Sequence, residues 1–345
     1  MISNSYVRAW LMRNGFRKLV IFLEQATLNT QHSTINTQQS TINNQQSPQD
    51  TPMTPFTKLH GIGNDFVFID LVNRFRDFGD IALLAQGMCD RHKGVGADGL
   101  ILLERGDHAP FRMTMYNPDG SNGGMCGNGV RCAARLLIEE GHHPLAPFEL
   151  EVEHRIVSVE PIHPDWIRVN MAHAGLTRGE IGMTGEPSES FIEQPVHGQE
   201  LMQLGLDGHF LGTAVSMGNP HLVIFCDDVQ AVDIHHLGPI IEHLELFPAR
   251  VNVHFAESPD RRHIRMRPWE RSAGPTLACG SGACSVGVAG FLTGRTDREI
   301  TIHLPGGDLR VEYMPEGEVF MEGSATRVFD GEWAASATRV AAVTG

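Results

Sequence analysis

The chain has 345 residues, of which 41% are hydrophobic and 20% charged, so it holds material for two ordinary globular cores. Its formal net charge of -14, from 27 basic and 41 acidic residues, argues against a nucleic acid or an anionic membrane as partner, because both need clustered Lys and Arg. The absence of any run of about 18 apolar residues excludes a transmembrane helix, and six cysteines in a chain of this length predict reduced thiols in a cytoplasmic protein.

The first 52 residues read as a polar, low-complexity extension that is predicted to be disordered. Residues 33–40 are nearly repeated at 41–47, and the tract has too few large apolar groups to form a core. We favour an upstream extension with Met53 as the natural start. A transit peptide is the alternative, because the segment is basic, poor in acidic residues and rich in Ser and Thr.

Short β-like runs dominate the next hundred residues. Gly, Pro and Asp turn signals separate them, and they fall at 66–69, 100–103, 111–116 and 148–152. Apolar residues at three- and four-residue steps predict helices at 80–90 and 128–140, the second of which ends where Gly141 can cap it. Cys126 lies just before this second helix.

The second half repeats this plan, with strands near 213–225 and 251–256 and a helix at 282–292. Small residues at Ala283, Gly287 and Ala289 predict a helix with neighbouring elements packed closely against it on all sides. We therefore predict an α+β fold of two pseudo-symmetric domains, each a curved mixed or antiparallel sheet wrapped around a central helix, with the active site between them. The expected divisions are 53–170 and 171–320, a terminal strand at 321–333 returning to the first domain, and a tail at 334–345.

Two tetrapeptides repeat at a distance of 153 residues, namely Cys126-Gly127-Asn128-Gly129 and Cys279-Gly280-Ser281-Gly282. Asn117 and Glu270 each stand nine places before their cysteine, and Asn64 and Asn219 stand 62 and 60 places before it. A period of about 150 residues matches a whole domain and predicts an internal duplication. The paired cysteines would then face one shared cleft.

A cysteine just before a helix is suited to acid/base chemistry. The helix dipole and open backbone N–H groups stabilise its thiolate and lower the thiol pKa from about 8.5. A thiolate and a thiol that face each other can remove a proton from one face of a carbon and deliver one to the other face, which inverts the centre. The same N–H groups suit a substrate carboxylate that gains charge on deprotonation. We predict that Cys126 and Cys279 do this without a cofactor.

Cysteines also have structural, metal-binding and redox roles in proteins. The remaining thiols read as small buried hydrophobic groups: Cys89, Cys132, Cys226 and Cys284. The intervals from Cys126 to Cys132 and from Cys279 to Cys284 lack the usual spacing of zinc ligands, so no metal site is predicted. A non-catalytic, redox-sensing thiol protein remains an alternative, because two thiols in one cleft can form a disulfide.

The ordered motifs resemble those of the diaminopimelate epimerase family over residues 55–333. They include Leu59-His60-Gly61-Ile62-Gly63-Asn64-Asp65-Phe66, the segment 91–99, Tyr116-Asn117-Pro118-Asp119-Gly120-Ser121, Ser216-Met217-Gly218-Asn219-Pro220-His221, the segment 247–252, and Trp269-Glu270-Arg271 before Ala278-Cys279. The resemblance implies a pyridoxal-phosphate-independent isomerase that interconverts LL- and meso-2,6-diaminopimelate in lysine and peptidoglycan precursor biosynthesis. It also implies a cytoplasmic homodimer.

The resemblance further implies roles for single residues. Cys126 and Cys279 form the acid/base pair, and four backbone amides hold the reacting carboxylate, those of Gly127, Asn128, Gly280 and Ser281. The polar ends of the substrate are bound by Asn64, Asn117, Asn219, Asn252, Glu270 and Arg271. His221 and Glu270 match positions that tune the thiol pKa values, and Phe329 matches a position at the dimer interface.

Some positions depart from the family pattern. Ser272 and Pro275 stand where Gly and Glu or Leu are often seen, and Phe329 replaces a Tyr. The nearest rival is a proline racemase or hydroxyproline epimerase, which shares the two-cysteine chemistry. Such an enzyme is expected to carry His in place of Asn128 and Pro in place of Ala278.

Overall fold

The computed structural model describes residues 53–334. The extension at 1–52, predicted to be disordered, lies outside the described residues, as does the tail beyond residue 334. Within the described range the chain forms 17 strands and six helices, so strands outnumber helices as the sequence predicts. None of the helices in this range is long and apolar enough to cross a bilayer.

The helices are labelled in chain order: α1 (Ile81–Cys89), α2 (Gly127–Glu139), α3 (Arg178–Ile181), α4 (Gln199–Gln203), α5 (Ile234–Glu242) and α6 (Gly280–Leu292). The strands are β1 (Met53–Gly61), β2 (Asn64–Asp70), β3 (Gly99–Arg105), β4 (Phe111–Tyr116), β5 (Phe148–Val152), β6 (Arg155–His163), β7 (Trp166–His173), β8 (Gln194–Pro195), β9 (Leu211–Ser216), β10 (Pro220–Phe225), β11 (Asn252–Asp260), β12 (His263–Glu270), β13 (Gly274–Pro275), β14 (Glu299–Leu304), β15 (Gly307–Tyr313), β16 (Glu318–Ser324) and β17 (Thr326–Ala334).

Helix α2 is the centre of the first half. Side chains alternate between buried and more exposed along β4, so the strand turns one apolar face inward. That face helps to enclose α2, where Val130, Ala133 and Leu137 are fully buried at three- and four-residue steps. The helix packs against β1, β6 and β7. The predicted central helix of this half is therefore confirmed.

Helix α6 holds the same place in the second half and is enclosed more tightly. A Cβ at Gly287 would lie only 2.8 Å from Val311 Cγ1, so a larger residue would push β15 away. The helix packs against β9, β10, β11, β14, β15 and β16. The predicted α+β class, with a sheet wrapped around a central helix in each half, is confirmed.

Strand pairing joins the two halves into one hydrogen-bonded sheet system. Strand β16 runs antiparallel to β7, with Met321 opposite Val169, and β17 runs antiparallel to β1, with Gly331 opposite Phe56. Residues 321–333 thus fall in two strands that both pair with strands from the first half. Strand β7 crosses the expected boundary at residue 170, so the division into two domains stays a prediction.

One continuous apolar core encloses both central helices, and two further cores lie outside it. The shared core takes side chains from α2 and α6 together with the inner faces of the surrounding strands. The outer cores lie under α5 in the second half and under α1 in the first. Because interiors pack densely, this shared core fixes the starts of α2 and α6 against one another.

Candidate active site

Each of the two predicted cysteines caps one of the central helices. Cys126 precedes α2 with φ −127° and ψ 110°, and Cys279 precedes α6 with φ −127° and ψ 106°. Each Sγ accepts a backbone hydrogen bond from three residues on, from Gly129 at 3.4 Å and from Gly282 at 3.3 Å. The first N–H groups of a helix have no intrahelical partner. Each helix start therefore offers donors for an anion beside a thiol.

The two helix starts meet across Met321. A Cβ at Gly127 would lie 2.6 Å from Met321 Cε, and a Cβ at Gly280 would lie 3.2 Å from Met321 Sδ and 3.4 Å from Asn128 Oδ1. A Cβ at either glycine would therefore press on the side chain of Met321, which lies between the two helix starts. Cys126 and Cys279 line one cleft of about 1200 Å³.

Nine of the ten predicted substrate-binding residues line this cleft: Asn64, Asn117, Gly127, Asn128, Asn219, Glu270, Arg271, Gly280 and Ser281. The structure does not bring Asn252 to the cleft wall, because both ends of its amide are used internally. Its Nδ2 donates to the Pro220 carbonyl at 3.0 Å, and its Oδ1 accepts from the Arg271 backbone N–H at 2.9 Å. Asn252 therefore orients Arg271. Phe329 also lies outside the cleft, on β17.

The Cys126 side of the cleft is built from amides. Asn64 Oδ1 lies 3.7 Å from the Cys126 thiol, which donates to it, and accepts from Asn128 Nδ2 at 3.0 Å. Asn64 Nδ2 donates to Asp98 Oδ2 at 2.7 Å, and Arg91 pairs with Asp98 at 2.6 Å. This carboxylate fixes which way the Asn64 amide points, so the oxygen faces the thiol.

Asn117 lies in the turn that its sequence predicts and lines the cleft as well. Its backbone carbonyl accepts a hydrogen bond from the Gly120 N–H at 2.9 Å, while its side-chain Nδ2 donates to Ser121 Oγ at 3.0 Å. The turn and cleft interpretations of this residue are therefore compatible.

The Cys279 side of the cleft carries a half-buried carboxylate instead. Glu270 Oε1 accepts from Thr276 Oγ1 at 2.5 Å, and the same carboxylate accepts a hydrogen bond from the Cys279 thiol. Burial raises the pKa of Glu270. The neighbouring Arg271 donates from Nη1 to the Ala249 carbonyl at 2.9 Å, which leaves further guanidinium donors for the cleft that it lines.

His221 does not reach the cleft wall and is fully buried behind it. Its Nε2 lies 2.8 Å from Asn219 Oδ1, and its Nδ1 lies 2.8 Å from His254 Nε2. Burial lowers the pKa of His221 well below its usual value, so the ring is neutral at neutral pH. His221 is linked to the cleft by its hydrogen bond to Asn219. Its influence on the pKa values of the two thiols stays a prediction.

Burial dominates the electrostatics of both thiols. It raises the pKa of Cys126 to about 11, against the smaller lowering effects of the Gly129 and Asn128 backbone N–H groups. It raises the pKa of Cys279 well above its usual value, and the negative charge of Glu270 adds to the rise. The lowered thiol pKa expected from the helix starts is therefore absent from the open cleft. The dipole acts as expected, but desolvation of a thiolate costs more.

The cleft contains side chains that the sequence did not single out: Arg91, Asp98, Arg155, Met171 and Met217. Arg91 and Asp98 both belong to the motif at 91–99, so its regularity was an available signal. Their ion pair orients Asn64 from behind. The two methionines carry no local pattern that separates a cleft wall from an ordinary core.

Comparison with known sequences agrees with the family resemblance of the motifs. A sequence model of the family described as diaminopimelate epimerase matches residues 56–176 and 213–328. The chain is 42% identical over 284 residues to the diaminopimelate epimerase of Moorella thermoacetica, which covers 81% of this chain and 98% of the relative. It is 44% identical over 283 residues to that of Pelotomaculum thermopropionicum, with coverage of 81% and 98%.

Comparison with solved structures supports the fold. A phenazine biosynthesis protein of the PhzF family from Bacillus anthracis aligns with a TM-score of 0.61 at 13% identity, over 82% of this chain and 99% of the other. A hydroxyproline epimerase from Agrobacterium vitis with bound trans-4-hydroxy-L-proline aligns with a TM-score of 0.55 at 14% identity, over 82% and 91%. At such identities the likeness concerns the fold alone.

Proposed function

The chain belongs to the diaminopimelate epimerase family, and on that premise we propose that it interconverts LL- and meso-2,6-diaminopimelate by a two-cysteine proton transfer. It is an isomerase. The observation that carries the mechanism is the pair of cysteine-capped helix starts at one cleft, with nearly identical backbone angles at Cys126 and Cys279.

The α-carbon of the substrate lies between the two thiols in this mechanism. One cysteine, as thiolate, takes the α-proton, and the opposite thiol delivers a proton to the other face. Charge that develops on the substrate carboxylate is stabilised by the backbone N–H groups of Gly127, Asn128, Gly280 and Ser281. No covalent bond to sulfur forms at any step.

The rest of the cleft distinguishes the non-reacting end of the substrate. Arg271, held by Asn252 and Ala249, offers guanidinium donors to a carboxylate. Glu270 attracts an ammonium group, and the amides of Asn64, Asn117 and Asn219 supply further polar contacts. A molecule with two amino and two carboxylate groups matches these charges, whereas proline has no second charged end.

Cys126 is the easier of the two thiols to ionise before substrate binds. Burial raises the pKa of both thiols, to about 11 for Cys126; nearby backbone N–H groups and the charge of Arg131 oppose the rise at Cys126, whereas the charge of Glu270 is the largest addition to it at Cys279. The singly ionised pair therefore carries its charge on Cys126 and its proton on Cys279. An ammonium group beside Glu270 neutralises the carboxylate and lowers the pKa of Cys279. Substrate binding thus brings the two thiols closer in acidity.

We also propose a cytoplasmic homodimer. All six cysteines are free thiols, which suits a reducing compartment. Phe329 is 45% exposed on β17, where its ring packs edge-on against Phe56 at 6.0 Å, and Val328 beside it is 53% exposed. An apolar edge strand of this kind is a surface that a second copy can cover. Sedimentation of wild type and Phe329→Asp tests this assembly.

The experiment that tests the function uses the full chain in heavy water. LL-diaminopimelate and, separately, L-proline are incubated with the protein, and both α-deuterium incorporation and stereoisomer composition are followed. We expect incorporation and conversion to the meso isomer with diaminopimelate, and neither with proline. Activity on proline alone would overturn the substrate assignment. Exchange with neither substrate would favour a non-catalytic thiol protein.

A further inference from the structure

A second histidine lies directly behind His221. The rings of His221 and His254 are stacked at 5.1 Å between centroids with 29° between planes, and both residues are fully buried. His221 Nδ1 and His254 Nε2 are 2.8 Å apart, while His221 Nε2 is 2.8 Å from Asn219 Oδ1. The three side chains form a line from the protein interior to the cleft wall at Asn219.

Both rings are neutral at neutral pH. Burial lowers the pKa of His254 to about 3, and burial together with the charge of Arg271 lowers the pKa of His221 well below its usual value. A neutral imidazole has one N–H donor and one bare nitrogen. The line of hydrogen bonds can therefore run in one of two directions only.

The inner end of the line decides between the two directions. His254 Nδ1 is buried and has no hydrogen-bond partner in the described part of the chain. If the bonds ran inward, this nitrogen would carry an unpaired N–H, which is rarer in buried sites than an under-satisfied acceptor. The bonds therefore run outward: His254 Nε2–H donates to His221 Nδ1, and His221 Nε2–H donates to Asn219 Oδ1.

This direction has a consequence in the cleft. With its oxygen held by His221, the Asn219 side chain turns its NH₂ group toward the substrate. An amide NH₂ is a donor only, so it suits a carboxylate oxygen and repels an ammonium group.

His254 also supports the start of α6. A Cβ at Gly282 would lie 2.5 Å from His254 Cε1 and 2.9 Å from Cys279 Sγ. The Gly282 N–H donates to that same sulfur at 3.3 Å. The imidazole therefore packs under the turn that holds Cys279, on the side away from the cleft.

We propose that His254 is a positioning residue that fixes the tautomer of His221 and thereby makes Asn219 a donor for a substrate carboxylate. The proposal rests on the proposed function for the identity of the substrate, but the tautomers themselves are a property of the free protein. The residue acts through His221 and Asn219 and does not touch the substrate.

The tautomers are tested by nuclear magnetic resonance of ¹⁵N-histidine-labelled protein without substrate. We expect two-bond ¹H–¹⁵N correlations that place the proton on Nε2 of both His221 and His254, assigned through His254→Gln and His221→Gln. A proton on Nδ1 of either ring overturns the proposal. This result does not depend on turnover, so it is separable from a failure of the proposed function.

The role in binding is tested with two variants of His254. His254→Phe keeps a buried ring but has no donor, and we expect KM for diaminopimelate to rise about 10-fold with kcat little changed, as for loss of one oriented contact to a charged group. His254→Gln can donate from the position of Nε2 and should keep KM within about threefold of wild type. A fall in kcat with KM unchanged in His254→Phe, or equal damage by Gln and Phe, contradicts the proposal.

A matched control is available in the second stacked histidine pair. His303 packs on His263 with centroids 5.6 Å apart and a 16° angle, and it does not line the active cleft. His303→Phe should leave KM and kcat at wild-type values. Should His254→Phe fail to fold, the tautomer measurement on wild type still decides the proposal.

Discussion

The starts of the two central helices have the same backbone and different surroundings. At both, a cysteine caps the helix at almost equal φ and ψ and accepts one N–H bond at 3.3 or 3.4 Å. Around Cys126 the polar groups are the amides of Asn64 and Asn128, whereas Cys279 faces the half-buried carboxylate of Glu270. In the proposed mechanism the common geometry serves an inversion, and we expect the unequal charges to set which thiol ionises first.

The helices differ again one turn further on. Arg131 stands five places after Cys126, and Cys284 stands at the matching place after Cys279. Arg131 is fully buried, with its Nε donating to the Ser324 carbonyl at 3.2 Å and its Nη2 unpaired within residues 53–334. A buried cation without a carboxylate partner is costly. Its charge lowers the pKa of Cys126, whereas the matching place behind Cys279 holds the uncharged Cys284.

The largest expected effect comes from removing either thiol. Cys126→Ala and Cys279→Ala should each lower kcat/KM by about 10³-fold or more, because each removes one of the two proton carriers. Conversion between stereoisomers measures this loss. Cys226→Ala is the control, since that thiol is half-buried and lies outside the cleft. A single-cysteine variant that still inverts the centre at near the wild-type rate would contradict the two-base mechanism.

The next largest effect is expected from changing the charge at Glu270 or at the matching residue beside Cys126, Asn117. Glu270→Gln should lower kcat/KM by about 10- to 100-fold, as expected for loss of a charged hydrogen-bond partner. It should also speed alkylation of Cys279, because Glu270 raises the pKa of that thiol. Asn117→Asp places a carboxylate at the matching position and should slow alkylation of Cys126. Unchanged labelling of Cys279 in Glu270→Gln would show that the carboxylate does not act on the thiol.

The wild-type protein itself should show unequal thiols. At pH 8 to 9 we expect iodoacetamide to label Cys126 at least about 10-fold faster than Cys279, because only the thiolate reacts. Labelling of Cys126 should keep rising with pH toward its pKa of about 11, since the thiolate fraction grows up to that point. Cys226, whose pKa is also raised to about 11, is an internal reference. Peptide mass spectrometry reads all three sites. Equal labelling rates at Cys126 and Cys279 would contradict the predicted difference in acidity between the two thiols.

The buried arginine should have a smaller and one-sided effect. Arg131→Met removes the cation while keeping a long side chain, so the pKa of Cys126 should rise and its alkylation should slow by about 3- to 10-fold. Labelling of Cys279 in the same sample serves as reference. Arg131→Lys should restore the rate. Arg135→Met is the matched control, because Arg135 lies on the same helix and pairs with Glu139 at 2.7 Å. An equal change at both thiols would show a general loss of structure.

The smallest expected effect concerns backbone strain after the charged position. Ser272 has φ 66°, a left-handed conformation, whereas in the first half the left-handed residue of the turn is a glycine, Gly120 at φ 86°, one place further along the repeat. Ser272→Gly should raise the free energy of unfolding by up to about 1 kcal/mol, because relief of strain is partly offset by a more flexible unfolded chain. Urea denaturation measures it. A loss of stability would show that the Ser272 side chain has a stabilising role of its own.

Local patterns predicted the central elements closely. The helix expected at 128–140 is Gly127–Glu139, and the strands expected at 111–116 and 148–152 have those bounds in the structure. Apolar periodicity and glycine punctuation depend on neighbours along the chain, so they can be read directly from it. Of the ten binding residues predicted from the motifs, nine line one cleft in the structure.

The sequence predicts least about residues whose roles depend on distant contacts, and the binding role of Asn252 stays a prediction. Asn252 has the sequence context of a binding residue, but its amide is used by Pro220 and Arg271. The thiols were expected to have lowered pKa values, yet burial raises the pKa of Cys126 to about 11. His254 carries no motif, and its importance arises only from its place behind His221.

The sequence by itself determined the repeat of the two Cys-Gly tetrapeptides, the helices that follow them and the family, because these depend on residue types at fixed separations along the chain. Tertiary structure alone decided the burial of the thiols, the hydrogen-bond partner of each amide and the different polar groups that surround Cys126 and Cys279. The physical reason is that desolvation and hydrogen-bond direction depend on what packs around a group in three dimensions. Neither property can therefore be predicted from a short stretch of sequence alone.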